Sequence, residues 1–210
     1  DVKAVLTTTQ NCSIDYPSTL LLDTISLDNY SASNVLEKGS NEDSLSVVYT
    51  SGSTGTPKGV LLRRLGMINV VYLYQTSMKL EPLERFLSIC SPSFDMFAVE
   101  VWLPLLTGKT LFFADTEEEK NPIAMGECIQ KNRIEDTPSV LQSVKAIQLG
   151  GEVLTPTFYE KVKQYMTAAI FNGYGPTEAT ACTTTKQITD SSNITIGKPL
   201  CNTKVYICNK

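Results

Sequence analysis

Histidine is absent from the 210 residues. Without an imidazole there is no Ser-His-Asp triad, no Cys-His nucleophile pair and no HExxH zinc site. The six cysteines (Cys12, Cys90, Cys128, Cys182, Cys201 and Cys208) include no CxxC pair, so the spacing of a zinc site or redox dithiol is missing too. Their scatter along a chain of ordinary apolar content reads as reduced thiols, not a disulfide framework. No apolar run approaches the ~18 residues a membrane span needs, and no cleavable apolar leader is expected. Basic charge is also short: 18 Lys and Arg stand against 22 Asp and Glu, a net charge of −4. That balance argues against a nucleic-acid or anionic-membrane surface. The expectation is a cytoplasmic protein that binds neither nucleic acid nor membrane.

What is present is a 42% apolar composition, enough to bury a core over one large domain or two small ones. No internal repeat or low-complexity tract interrupts it. Residues 1–43 form a lead-in that ends in an exposed stretch rich in Ser, Asn and acids, and residues 44–210 carry the motifs. Leu45 to Tyr49 predicts a strand, Leu65 to Met78 a helix, and Arg85 to Cys90 a strand. Phe94 to Leu106 is apolar on nearly all sides and predicts a buried helix. Thr110 to Ala114 is strand-like, and Asn121-Pro122 supplies an N-cap and N1 pair for a helix to about Lys131. Val144 to Leu149 and Ala168 to Phe171 predict strands ending in Gly150-Gly151 and Asn172-Gly173, with a helix over Thr155 to Met166 between them. Strands alternating with helical stretches predict the α/β class, with a mostly parallel sheet flanked by helices.

The most informative segment runs from Thr50 to Gly59: Thr-Ser-Gly-Ser-Thr-Gly-Thr-Pro-Lys-Gly. Its glycines let the backbone approach a ligand closely, its hydroxyls and N–H groups suit phosphate oxygens, and Lys58 adds a point charge. It is not a Walker A loop, which needs the Lys directly after a Gly at a helix start. Taken alone, the same composition also suits a plain surface turn.

Further motifs in a fixed order resolve the ambiguity. Thr50 to Gly59, with Ser93-Phe94-Asp95 to Trp102, Gly150-Gly151-Glu152, Asn172-Gly173-Tyr174-Gly175-Pro176-Thr177-Glu178, and Ile196-Gly197-Lys198-Pro199 beyond it, closely resembles the adenylate-forming superfamily. That superfamily holds acyl-CoA synthetases, luciferases and the adenylation domains of nonribosomal peptide synthetases. The match covers roughly Ser44 to the C-terminus and resembles the core of the family's large N-terminal domain. The family's early part, its C-terminal subdomain and the catalytic Lys that subdomain brings are expected to lie outside these residues.

The resemblance implies ATP-dependent activation of an amino acid as its adenylate, with pyrophosphate released, for loading onto the phosphopantetheine thiol of a peptidyl-carrier protein among neighbouring synthetase modules. It implies ATP contacts from Thr50, Ser51, Gly52, Ser53, Thr54, Gly55 and Lys58, from Gly150, Gly151 and Glu152, and from Asn172, Gly173, Tyr174, Gly175 and Thr177. Physical reading agrees: Tyr174 offers a face for adenine, Asn172 a base-edge partner, Thr177 a hydroxyl for a phosphate or carboxylate oxygen, and Glu178 an oxygen ligand for Mg²⁺. Lys58, Thr54, Thr177 and Glu178 are the expected catalytic groups. Asp95 is either a helix-start carboxylate favoured by the helix dipole or, by resemblance, the partner of the substrate α-ammonium. Phe94, Met96, Val99, Gln148, Gly150, Gly173, Ala181 and Cys182 would line the pocket with it. The small residues Gly150, Gly173 and Ala181 suggest volume for a medium or large side chain. Only ten residues separate Ser139 from Gly150, fewer than the family leads one to expect, so part of the pocket cannot be assigned. The competing readings are an acyl- or aryl-acid:CoA ligase and a truncated nucleotide-binding core without turnover.

Overall fold

The computed structural model describes residues 3–11, 13, 15–34, 36, 39–51, 55–115, 117–118, 122–131 and 144–208, with only the backbone of Pro122, Ile123, Gly126 and Gln130. The chain divides into two units, residues 1–38 and 39–210. In the first, β1 (Val5–Thr7) and β2 (Thr19–Leu21) pair in parallel, with Val5 opposite Thr19. Thr9 donates its backbone N–H to Asp23 Oδ1 at 3.0 Å and its hydroxyl to Asp23 Oδ2.

The division falls just upstream of the expected 43/44 boundary, and hydrogen bonds explain why. Arg64 N–H donates to Asp43 O at 2.9 Å, Leu65 N–H donates to Asn41 O at 2.9 Å, and Arg63 pairs with Glu42 at 2.9 Å. These contacts bind residues 41–43 to the second unit.

That unit opens with an antiparallel hairpin of β3 (Ser44–Thr50) and β4 (Lys58–Arg63), with Val48 opposite Val60 and Thr50 opposite Lys58. Helix α1 (Arg64–Ser77) follows β4 directly and buries Met67, Val70, Val71, Leu73 and Tyr74, a stripe at helical spacing. Next come β5 (Arg85–Ser88), α2 (Asp95–Leu106) and β6 (Thr110–Phe113), with β5 and β6 parallel. Helix α3 (Pro122–Lys131) precedes β7 (Ala146–Leu149). Helix α4 (Pro156–Tyr165) is capped by Thr155, whose hydroxyl accepts from Phe158 N–H at 3.2 Å, and Pro156 occupies the first turn. It connects β7 to the parallel strand β8 (Ala169–Tyr174). Strands β9 (Thr184–Ile188) and β10 (Lys198–Pro199) then add antiparallel, giving the order β10-β9-β8-β7.

The α/β class holds, but the mostly parallel expectation needs correction. Among the described residues three strand pairs are parallel and three antiparallel. The parallel pairs β5–β6 and β7–β8 are bridged by α2 and α4, whereas β3–β4 and β8–β9 are joined by loops too short for a crossover. Helix α2 is a second correction. Asp95, Val99 and Leu103 follow one another at four-residue spacing on its buried face, but Trp102, Leu105 and Leu106 are exposed. A uniformly apolar helix carries no periodicity to reveal which face is covered.

The main core gathers α1, Val99 and Leu103 of α2, Leu62, Phe171, Ala181, Cys182 and Leu200. A smaller cluster places Leu154 and Tyr159 of the α4 region against Ile170 and Ile188. No helix among the described residues is long and apolar enough to cross a membrane.

Candidate active site

The glycine-rich segment is the connection of a β-hairpin. Thr50 ends β3 and faces Lys58, the first residue of β4, so the loop hangs between the last paired residues of two strands. Gly52, Ser53 and Thr54 lie outside the described residues. Ser51, Gly55 and Lys58 are exposed, and Gly55 has φ +81 with nothing within 4 Å of a notional Cβ. That is the left-handed region which glycine enters without strain, and the backbone there is open to a ligand.

Parallel register brings the next two motifs side by side. Gln148 is opposite Phe171 and Leu149 opposite Asn172, so the turn after β7 lies beside Gly173. A Cβ on Gly150 would stand 2.9 Å from the Gly173 carbonyl oxygen, while Gly151, at φ +84, faces open space. Glu152 is exposed beyond them. The expectation that Asn172 and Gly173 follow the strand is corrected: β8 continues through Tyr174, because β9 pairs Asn172 with Lys186, Gly173 with Thr185 and Tyr174 with Thr184. Tyr174 is 52% exposed. Asn172 is buried and donates its side-chain amide to Thr195 O at 3.0 Å, so one of its two polar ends is already engaged within the fold.

Thr183 closes the loop after Tyr174 by donating both its N–H, at 2.8 Å, and its hydroxyl, at 2.9 Å, to Tyr174 O. Within this loop Thr177–Ala179 form one 3₁₀ turn, with Thr177 half-buried and Glu178 exposed. Thr180 and Ala181 are both left-handed at φ 63, a conformation that costs a non-glycine residue about 1–3 kcal/mol and persists only where the surroundings impose it. The turn packs against β4, and a Cβ on Gly66 of α1 would meet Thr180 Oγ1 at 3.0 Å. Strand β4, which begins with Lys58, and the Thr177–Glu178 turn thus belong to one neighbourhood.

Asp95 is the first residue of α2. The N-cap position is Phe94, which makes no side-chain cap bond and is largely exposed. Asp95 itself is 8% exposed, and among the described residues its carboxylate has no hydrogen bond or ion pair. Glu100 anchors the approach to it. One Glu100 oxygen accepts from Ser88 Oγ at 2.8 Å, Ile89 N–H at 3.0 Å and Cys90 N–H at 2.9 Å, tying α2 to the end of β5.

Tyr74 of α1 connects the remaining pocket residues. Its hydroxyl accepts from Gln148 Nε2 and lies 3.8 Å from Met96 Sδ. Burial, then the neighbouring Cys182, and also the Asp95 charge push its pKa well above the ordinary phenol value. Burial likewise raises the Cys182 thiol, which donates to Thr184 O at 3.2 Å. Met96, Gln148 and Cys182 therefore surround one buried hydroxyl, with Asp95 next to Met96 at the start of α2, while Val99 and Ala181 lie in the adjoining core. Tyr74 and Glu100 were not legible in advance. Tyr74 sits in an apolar helical stripe and reads as core. For Glu100 a signal existed: a lone acid in the otherwise apolar stretch after Asp95 has to find donors.

The described residues contain no group of three or more Asp, Glu, Cys or His able to hold a metal ion among themselves. Glu178 alone is a weak cation site. It suits Mg²⁺, which binds through one or two carboxylates with substrate phosphates supplying further oxygens.

Residues 4–210 match the family of AMP-binding enzymes, and the chain belongs to that family. It is 32% identical over 195 residues to tyrocidine synthase 3 of Brevibacillus parabrevis, covering 85% of this chain and 3% of that protein. It is 32% identical over 200 residues to gramicidin S synthase 2 of Aneurinibacillus migulanus, covering 84% and 4%. The solved structure of the nonribosomal peptide synthetase FmoA3 with α-methyl-L-serine-AMP superimposes with a TM-score of 0.85 at 21% identity, covering 99% of this chain and 26% of that one. The chain thus spans only a small part of the length of the curated relatives it matches.

Proposed function

We propose that this chain is the core of the large domain of an amino-acid adenylation enzyme, which condenses an amino acid with ATP. In that reaction a carboxylate oxygen of the amino acid attacks the α-phosphorus, the bond from the α-phosphorus to the bridging oxygen breaks, and pyrophosphate leaves. The carrier protein's phosphopantetheine thiol in the same synthetase then gives up its proton and attacks the acyl carbon of the aminoacyl-adenylate, the bond from that carbon to the phosphate oxygen breaks, and AMP leaves. Family membership supports the use of ATP, and the similarity to tyrocidine and gramicidin S synthases supports the carrier as acceptor.

The chain's own groups have distinct tasks in this reading. The hairpin loop from Thr50 to Gly55 wraps the phosphates with N–H groups and hydroxyls, Thr54 among them, and Lys58 adds positive charge. Gly150, Gly151 and Glu152 contact adenine, and Tyr174 stacks on it, beside Asn172, Gly173 and Gly175. Thr177 holds an α-phosphate or carboxylate oxygen. Glu178 would hold Mg²⁺, which supplies charge neutralisation at the phosphates. No side chain among the described residues is a nucleophile with an adjacent base, so catalysis rests on positioning and on charge stabilisation of the transferring phosphate.

The observation that carries an amino-acid substrate, as opposed to a plain acid, is Asp95, a buried residue at the start of α2 whose carboxylate has no hydrogen bond or ion pair among the described residues. A carboxylate in such an enclosed setting gains from a counter-charge, and a substrate ammonium supplies one. Removing one member of such a pair costs roughly 3–5 kcal/mol, so Asp95→Ala should weaken amino-acid binding by about two orders of magnitude or more. The test is amino-acid-dependent pyrophosphate exchange by the full-length protein and its Asp95→Ala variant, with the des-amino analogue as competitor. Unchanged amino-acid affinity in the variant would leave Asp95 as a helix-start residue and favour an acyl- or aryl-acid:CoA ligase.

A further inference from the structure

Three small residues beside the Asp95 cluster suggest an open pocket, but the packing contradicts this. A Cβ on Gly173 would lie 2.2 Å from Gln148 Nε2 and 2.9 Å from Gln148 Cδ, so the space beside that glycine already holds the Gln148 amide. The space at Gly150 is closed by the Gly173 carbonyl oxygen. Ala181 is buried in the main core. The missing side chains make room for the protein's own atoms.

The Gln148 amide is held from one direction. Its nitrogen donates to the Tyr74 hydroxyl, while its oxygen is buried with no hydrogen-bond partner. Tyr74 is 5% exposed and fixed in the core by α1, so it is a firm anchor. Cys182 Sγ, 3.5 Å from the notional Gly173 Cβ, closes the other flank. Met96, one residue after Asp95, touches the same hydroxyl. The residue after the carboxylate assigned to the substrate ammonium and the amide wall therefore meet at one tyrosine, and all three positions that could have supplied side-chain volume are filled by the protein itself.

We propose that Gln148, locked by Tyr74, is the end wall of the amino-acid pocket and restricts the substrate to a short side chain, of the size of glycine, alanine or serine. This inference rests on the adenylation reading above and adds to it a substrate size class and a positioning residue, Tyr74, outside the motifs. Gln148→Ala removes the wall and opens the volume beside Gly173. Tyr74→Phe keeps the ring in the core but removes the anchor, so that the amide loses its Tyr74 hydrogen bond and can swing aside.

The test is pyrophosphate exchange by the full-length protein over amino acids graded in size from glycine to phenylalanine, with KM and kcat determined separately. The wild-type protein should use short side chains and discriminate against leucine and phenylalanine. Gln148→Ala should shift the ratio of kcat/KM for leucine over alanine by at least about tenfold towards leucine. Tyr74→Phe should shift it in the same direction by less, mainly through KM, which a general loss of stability would not do selectively. A wild-type preference for large side chains, or an unchanged ratio in both variants, would overturn the wall while leaving adenylation intact. Absence of exchange with every amino acid would overturn the adenylation reading and this inference with it.

Discussion

Glu100 Oε2 sits 2.8 Å from the hydroxyl of Ser88, joining the middle of α2 to the last residue of β5 across the loop that leads to Asp95. The same oxygen takes two further backbone N–H groups, so a single carboxylate satisfies three donors. Asp95 lies in the first turn of that helix, and its position depends on how firmly the helix is tied to the strand.

Glu100→Ala leaves the buried Ser88 hydroxyl and two backbone donors without their acceptor. Unsatisfied buried groups cost about 1–3 kcal/mol each, but Ile89 is partly exposed and can turn to water. The expected loss is about 2–3 kcal/mol in denaturant unfolding, and Glu100→Gln, which keeps an oxygen acceptor, should lose less. Equal midpoints for Glu100→Ala and wild type would refute the anchoring role.

Lys58→Ala should separate charge from binding. Removing one preorganised charge-stabilising group typically costs about 10²–10³-fold in turnover. Pyrophosphate exchange should fall by that order, while amino-acid affinity measured without ATP stays near its wild-type value. A mutant that exchanges at the wild-type rate would exclude Lys58 from the chemistry.

Gly175→Ala should disturb the loop between Tyr174 and Thr183. The added Cβ would meet Cys182 Cα at 2.6 Å, Ala181 O at 2.7 Å and Thr183 N at 2.8 Å, all backbone atoms that cannot rotate away. Overpacking of this kind costs about 1–3 kcal/mol. The melting temperature should drop, and nucleotide affinity should drop with it because Tyr174 and Thr177 belong to the proposed nucleotide site. Retention of both would mean that the loop relaxes without consequence.

Asp190 provides a pH test. Its carboxyl is held below the ordinary value of 3.8, first by the Ser192 hydroxyl and then by the Ser192 N–H. A folded-state pKa below the unfolded one stabilises the protein above the unfolded value, and the contribution disappears as pH falls through the folded value. The melting-temperature gap between wild type and Asp190→Asn should therefore be widest near neutrality and close below about pH 4. A gap that widens in acid would contradict the assignment.

Local chemistry in the sequence was enough to indicate the α/β class, the glycine-rich loop and the positions of most elements. Thr155-Pro156 announces a helix start wherever it stands, and the β-branched run before Thr50 announces a strand, because capping and side-chain sterics act within a few residues. The order of motifs from Thr50 to Glu178 was likewise enough to suggest the family. Partners and vacancies required the tertiary structure. Pairing direction depended on whether a helix or a short loop joined two strands, so the hairpin placement of the glycine-rich loop and the inclusion of Asn172 and Gly173 within β8 emerged only with register. The buried face of α2 was undecided because an apolar helix carries no contrast. Gly173 made the difference clearest: a glycine in sequence is missing volume, and only packing shows whether a ligand or a neighbour fills it. Here the Gln148 amide does, held by a tyrosine 74 residues away in the chain, a distance over which no local rule operates.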